Sequence, residues 1–231
     1  MKAVILAGGK ATRMGELCKE NPKSLLEING KRFIDYAIEL TFSLNLEPLV
    51  VMGYKKDKII EHLNKNWKGV DYIIQENDTG DLTLSLVGAK DYINEDFVFM
   101  ASDTIFLDKE ILKKLIQKDK GTKRFGMLYC EKGDFTPKIK INKKNKVREF
   151  NVKGDSDSKL SSPTFFISSK DFLYYINKGD NREIINMMIK DKYNIFAIKY
   201  PKNKVLEANT PGQYAEILRM NPNKILKKIN T

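Results

Sequence analysis

The first two dozen residues constrain the fold more than any others. Lys2-Ala3-Val4-Ile5-Leu6-Ala7 is a short apolar run that reads as a buried strand, and it opens directly into Gly8-Gly9-Lys10-Ala11-Thr12-Arg13-Met14-Gly15. Asn21-Pro22-Lys23-Ser24-Leu25-Leu26 follows shortly after. A strand that ends in glycines and then basic residues is suited to gripping phosphate. The strand fixes the backbone, the glycines let it approach an anion closely, and Arg13 and Lys23 neutralise charge. The stretch lacks the Gly-Lys-Ser/Thr ending of a P-loop and the third glycine of a dinucleotide-binding turn.

Strands and helices then alternate. Asn29-Gly30 marks a turn, and residues 32–44 read as a helix with Ile34, Ala37, Ile38 and Thr41 on one face. Residues 48–53 form the next strand, 57–66 an amphipathic helix and 70–75 a third strand. A polar loop over 76–81 leads to a helix through 84–89. Phe97-Val98-Phe99-Met100-Ala101 is a fully apolar strand ending at Ser102-Asp103, and Asp108 caps a helix to Lys118. Such alternation implies a parallel sheet with helices on both faces. Right-handed crossovers gather the strand C-terminal ends on one edge, where sheets of this kind bind ligands.

From Gly121 the pattern changes. Residues 125–130 and 137–142 read as strands, Asn142-Lys143-Lys144-Asn145 as a hairpin turn, and 146–152 as the returning strand. Residues 154–162 are polar. A strand over 164–167, helices over 170–176 and 183–190, and a strand over 195–200 follow. Thr210-Pro211 opens a last helix, with proline in the first turn. The expectation is one domain over 1–231, in which 1–120 binds nucleotide and 121–231 forms a β-rich lid with a C-terminal helix.

Composition removes several function classes. Cys18 and Cys130 have no metal-like spacing, and His62 is the sole histidine, so neither a zinc site nor a Ser-His or Cys-His scheme is indicated. His62 itself reads as a surface helix residue. The formal charge of +11 raises the question of nucleic acid, but the lysines are spread along the chain with acids between them and no aromatic stripe interleaved. A solvated basic surface that attracts a multiply phosphorylated small molecule is the better reading, with no nucleic-acid partner. No apolar run reaches the roughly 20 residues of a membrane span, and no leader precedes the first strand; a cytoplasmic location is the expectation.

With those landmarks in order, the chain resembles the sugar- and polyol-phosphate nucleotidyltransferase family, whose signature is roughly Leu-Ala-Gly-Gly-x-x-Thr-Arg-Met/Leu followed by a Pro-Lys pair. Gly80-Asp81-Leu82-Thr83-Leu84-Ser85-Leu86 is most similar to the corresponding segment of the inositol-phosphate and phosphocholine cytidylyltransferases. The resemblance implies a Rossmann-like fold: an open, mixed but mostly parallel sheet with helices on both faces and a β-rich acceptor-binding subregion. It places Leu6, Ala7, Gly8, Gly9, Arg13, Lys23, Gln75, Gly80 and Ser102 around the nucleotide. Arg13 would grip the β- and γ-phosphates and Lys23 would lie over the reacting α-phosphate. Gln75 and Gly80 would read a pyrimidine, since a glutamine amide offers both a donor and an acceptor. Asp103 would hold Mg²⁺, and with Arg13 and Lys23 it makes the catalytic set. Lys153 and Thr164 would meet the phosphorylated acceptor.

The chain departs from the family in the late segment Leu206-Glu207-Ala208-Asn209-Thr210-Pro211. Glu207 replaces the usual aspartate, and Asn209 stands where some members carry a second acid. Both join Asp103 in the expected Mg²⁺ set. The expected reaction joins an NTP, with CTP ranked first, to a small phosphorylated polyol, sugar or alcohol, releasing pyrophosphate. The leading case is a cytidylyltransferase for inositol 1-phosphate or a similar acceptor. A UTP- or dTTP-using sugar-1-phosphate enzyme is the alternative, and a regulator that binds nucleotide without turnover is the third. Self-association is left open.

Overall fold

The computed structural model describes residues 1–75, 84–118, 120–121, 123–132, 135, 137–150, 160–179 and 181–220. Gly80 and Lys153 lie outside the described residues. The strands are β1 (Lys2–Ala7), β2 (Glu27–Ile28), β3 (Lys31–Arg32), β4 (Glu47–Met52), β5 (Asp71–Ile74), β6 (Phe97–Ala101), β7 (Thr104–Phe106), β8 (Arg124–Glu131), β9 (Ile139–Ile141), β10 (Val147–Phe150), β11 (Leu160–Ser161), β12 (Phe165–Ser168), β13 (Asn194–Lys199) and β14 (Val205–Glu207). The α-helices are α1 (Phe33–Ser43), α2 (Lys56–Asn66), α3 (Lys109–Gln117), α4 (Asn181–Lys190) and α5 (Pro211–Leu218).

The opening strand lies inside a mixed sheet. β1 pairs in parallel with β4 on one side and β6 on the other, and β5 extends the parallel set beyond β4. β12 runs antiparallel between β6 and β8, and β13 lies parallel to β8. Alternate β1 residues serve the two faces. Ala3 and Ile5 share a core with Ile34, Ile38, Ile59, Leu63, Leu112 and Leu115 from α1, α2 and α3. Val4 faces the other layer, with Ile184 and Met188 of α4 and a stack of phenylalanines. In that stack Phe99 lies 5.0 Å from Phe166 and 5.7 Å from Phe172 between ring centroids. Burial on both faces explains why β1 and β6 are apolar throughout.

The second half departs from a lid. β8, β11, β12 and β13 continue the main sheet instead of forming a separate layer. The reason lies at β6, whose outer edge would be unpaired without β12. Residues 124–130 are all buried, as a strand covered on both faces requires. Outside that sheet, among the described residues of this half, β9 and β10 pair as a hairpin and β14 pairs with β7. The hairpin turn is as expected: Asn142 Oδ1 accepts from the N–H groups of Lys144 and Lys146 at 2.9 and 3.0 Å.

Two expected helices are tighter than α. Leu84–Tyr92 and Lys170–Tyr174 are 3₁₀ helices. In the first, buried Leu86 and Ala89 are three apart, a spacing that 3₁₀ winding places on one edge. His62 is a further correction. Its side chain is 9% exposed, because α2 packs it onto α1 with Nε2 2.6 Å from Asp35 Oδ1. The termini of α3 and α5 follow their caps: Asp108 accepts from Ile111 N–H, and Thr210 from Gln213 N–H. Both cysteines are free thiols, and burial pushes the Cys130 thiol up to about 11. Among the described residues no helix is long and apolar enough to cross a membrane.

Candidate active site

The site is assembled where β1 and β6 end side by side. Ser102 N–H donates to Leu6 carbonyl at 3.0 Å, which locks the two strand ends together. Beyond Ala7 the two glycines have different surroundings. A Cβ on Gly8 would stand 3.3 Å from the backbone nitrogen of Gly53, where β4 ends, whereas a Cβ on Gly9 would meet nothing within 4 Å. Gly8 is therefore required by neighbouring backbone, and Gly9 keeps backbone bare toward open space. Ala11 then adopts a left-handed φ of 50° and starts the 3₁₀ turns of Thr12–Cys18, which carry Arg13.

Lys23 opens a short 3₁₀ turn, Lys23–Leu25, and its side chain is only 9% exposed. A buried ammonium must be paired. Its Nζ lies 2.6 Å from Asp103 Oδ2 and donates to Asn209 Oδ1 at 2.9 Å. Arg13 Nη2 donates to the same Asn209 oxygen at 3.4 Å. The late segment reaches this point through a pairing that local patterns do not reveal. β14 lies antiparallel to β7, with Glu207 opposite Thr104. That register sets Glu207 and Asn209 beside Asp103. Burial, then the negative charge of Asp103, raises the Glu207 carboxyl above its ordinary range, while a hydrogen bond with Asn209 and the charges of Lys23 and Arg13 oppose the rise.

A cleft of about 200 Å³ opens over these groups. Of the sequence-predicted residues, Leu6, Ala7, Gly9 and Arg13 line it from the first half of the opening stretch. Lys23 lines it from its 3₁₀ turn, and Ser102, Asp103 and Asn209 from beyond the ends of β6 and β14. Gly8 packs against Gly53 behind this wall. Ala11 and Ser24 also line the cleft and were not singled out by sequence. Ser24 follows Lys23 and could have been read from that neighbour; the left-handed alanine carries no sequence signal.

Other predicted residues stand apart from this lining. Gln75 ends β5 beside Gly53, its backbone N–H donating to Met52 carbonyl at 2.8 Å. Its side-chain Nε2 donates to Leu84 carbonyl at 3.2 Å. Thr164 accepts, through its carbonyl, from Ala101 N–H at 3.2 Å, one residue before Ser102. Among the described residues no group of three or more His, Cys, Asp and Glu side chains gathers into a metal centre. The donors present are two carboxylates, Asp103 and Glu207, with an amide oxygen. Two neighbouring acids beside a cleft lined by Arg13 and Lys23 make a strongly polar surface that carries charge of both signs.

A model of the MobA-like NTP transferase domain matches residues 3–151. Among characterised proteins, UTP–glucose-1-phosphate uridylyltransferase AglF of Haloferax volcanii is 39% identical over 109 residues, covering 46% of this chain and 44% of that protein. CTP:phosphoglutamine cytidylyltransferase of Campylobacter jejuni is 29% identical over 123 residues, covering 50% of this chain and 48% of that protein. The chain thus spans less than half the length of these curated relatives. Among solved structures, the inositol-1-phosphate CTP transferase of T. maritima superposes with a TM-score of 0.77 at 16% identity, covering 99% of this chain and 96% of that one. That likeness bears out the mixed, mostly parallel Rossmann-like fold.

Proposed function

This chain belongs to the MobA-like NTP transferase family, and we propose that it transfers a nucleotidyl group from a pyrimidine NTP to a small phosphorylated sugar, polyol or alcohol, releasing pyrophosphate. The observation that carries this reading is the position of Lys23 Nζ, 2.6 Å from Asp103 and 2.9 Å from Asn209 in a cleft that Arg13 also lines. Joining two phosphates brings anions together, so fixed cations supply most of the help a protein can give.

In this mechanism an oxygen of the acceptor's phosphate attacks the α-phosphorus in line, and the bond to the β-phosphate oxygen breaks. A phosphate monoester is already ionised near neutral pH, so the attack requires no general base. Lys23 offsets charge on the α-phosphate and Arg13 on the β- and γ-phosphates. The bare backbone at Gly9 admits the phosphates closely. Asp103 and Glu207 would hold Mg²⁺, which when bound offsets phosphate charge and draws the phosphates into one geometry. Lys153 and Thr164 are assigned to the acceptor's side, and Gly80 with Gln75 to the base.

CTP is the first donor to test. The Gln75 amide directs its nitrogen to Leu84 carbonyl, which leaves its oxygen to accept from a base. The exocyclic amine of cytosine is such a donor. Uracil N3–H is another, and the 39% identity to AglF favours UTP as the second reading. The deciding experiment incubates purified protein with Mg²⁺, each NTP in turn and a panel of phosphorylated acceptors, and measures pyrophosphate. Release with CTP or UTP and one acceptor class is expected. NTP binding with no pyrophosphate from any pair would turn the reading to a regulator, and absence of binding would end it.

A further inference from the structure

Asn209 stands between charges of both signs. Its Oδ1 accepts from Lys23 Nζ at 2.9 Å and from Arg13 Nη2 at 3.4 Å, which uses both lone pairs of that oxygen. One amide oxygen thereby ties together the two cations of the cleft. The backbone holds Asn209 in place: its N–H donates to Gln213 Oε1 at 2.8 Å on the first turn of α5, and β14 precedes it in register with β7.

An aspartate at this position could receive the two cations but would set a third acid beside Asp103 and Glu207. The four charged groups Arg13, Lys23, Asp103 and Glu207 balance one another; a further acid would tip the cleft negative, against a triphosphate. An uncharged amide orients the cations without cancelling them.

We propose that Asn209 is a positioning residue that gathers Arg13 and Lys23 for the triphosphate, and not a ligand of the divalent cation. The role rests on the nucleotidyl-transfer reading above. It predicts that Asn209 matters for nucleotide binding where no divalent cation is present, which a metal ligand would not.

The test measures CTP and UTP binding by calorimetry in EDTA, and Mn²⁺ binding to the full chain by electron paramagnetic resonance of the free ion. Asn209→Asp, almost identical in shape, and Asn209→Ala are compared with the unaltered protein, and circular dichroism reports folding of each. Asn209→Asp is expected to weaken nucleotide binding in EDTA about tenfold or more, and Asn209→Ala about fivefold, the size of one lost hydrogen bond of ordinary strength. Mn²⁺ affinity of Asn209→Ala should stay within about twofold of the unaltered protein, since an oxygen that never ligates the ion cannot take a decade of affinity with it. Should Asn209→Ala misfold, Asn209→Ser supplies the same comparison with a smaller change. Unaltered nucleotide affinity in EDTA for both variants would overturn the proposal. So would tighter Mn²⁺ binding by Asn209→Asp together with its loss in Asn209→Ala. Binding of nucleotide by the unaltered protein only when Mg²⁺ is added would overturn this role alone; if it binds neither nucleotide even with Mg²⁺, the transfer reading itself falls, and this role with it.

Discussion

Two polar clusters in this chain use similar ingredients to different ends. In the first, Asp35 on α1 is 8% exposed and accepts from Trp67 Nε1 at 2.6 Å and Arg32 N–H at 2.8 Å. His62 Nε2 lies 2.6 Å from the same carboxylate, and Asn66 Nδ2 reaches His62 Nδ1 at 3.1 Å. Because Asn66 donates to Nδ1, the histidine proton sits on Nε2 and points at Asp35. Asp35, His62 and Trp67 find their partners within that ring, and it ties α1 to α2. In the second cluster, Lys23, Asp103, Asn209 and Arg13 come from three distant parts of the chain, and each of them borders the same cleft. A carboxylate with its cations is a clasp when its partners close on themselves. It is a site when they face space that a ligand can enter.

Removing one charge from each cluster should break the molecule in different ways. Lys23→Ala is expected to lower pyrophosphate release about 10²–10³-fold, the scale of losing one pre-placed charge donor. Stability should change by no more than about 1 kcal/mol, because Asp103, whose side chain is 21% exposed, can be solvated. Asp35→Ala is expected to do the reverse, costing about 3 kcal/mol by stranding buried donors while turnover per folded molecule is retained. Urea titrations and pyrophosphate assays on both variants decide it. A Lys23→Ala protein that unfolds, or a stable Asp35→Ala protein without activity, would erase the distinction.

The difference between the clusters also marks what a sequence can disclose. Most of the cleft's first wall was legible because it is local: strand, glycines, Arg13 and Lys23 lie within two dozen residues, and the backbone that joins them also shapes them. The ends of β4, β6, α1 and α3 were legible for the same reason. What was hidden depends on pairing. Nothing in Leu206-Glu207 says that it lies against Thr104-Ile105, yet that register sets Glu207 and Asn209 beside Asp103. The apolar runs of β8, β12 and β13 read as strands, but an apolar run does not name its neighbour, and what looks like a lid is a continuation of the main sheet. His62 reads as a surface residue because its partner Asp35 belongs to another helix. Periodicity assigns a face to a residue and leaves open what covers that face.

The two glycines sharpen the comparison on a finer scale, since one is structural and its neighbour faces the cleft. Gly8→Ala forces a methyl to 3.3 Å from the Gly53 nitrogen, and backbone gives way less readily than a side chain. A loss of about 1 kcal/mol is expected, near the low end for overpacking. A methyl on Gly9 meets nothing within 4 Å, so stability should be unchanged. Under the proposed function its cost should appear instead as nucleotide binding weakened about fivefold, because the methyl would narrow the space left for the phosphates. Denaturation midpoints and calorimetric titration with CTP and UTP separate the two. Equal effects of both substitutions on both measurements would mean that the cleft wall is not divided in this way.

The smallest effect belongs to a third kind of pair, at the start of α3. Asp108 caps α3 and forms an ion pair with Lys204. Partial burial disfavours its ionised form, but the Lys204 interaction and the N–H of Ile111 outweigh that, and the carboxyl is held below its usual range. A carboxyl lowered on folding stabilises at neutral pH, and that contribution is lost as pH falls below the ordinary carboxylate value and through the folded one. Asp108→Asn keeps a capping side chain and removes only the charge. It is expected to cost about 0.5 kcal/mol at pH 7, since half-exposed ion pairs are weak. The difference between the two proteins should shrink as pH falls below the ordinary carboxylate value and close once pH passes below the lowered, folded one. Urea titrations from neutral pH down through that range measure it. A deficit that persists in acid would assign the contribution of Asp108 to the shape of the cap, and would leave the cleft as the one place among these three where charge, and not only hydrogen-bond geometry, is what the residue supplies.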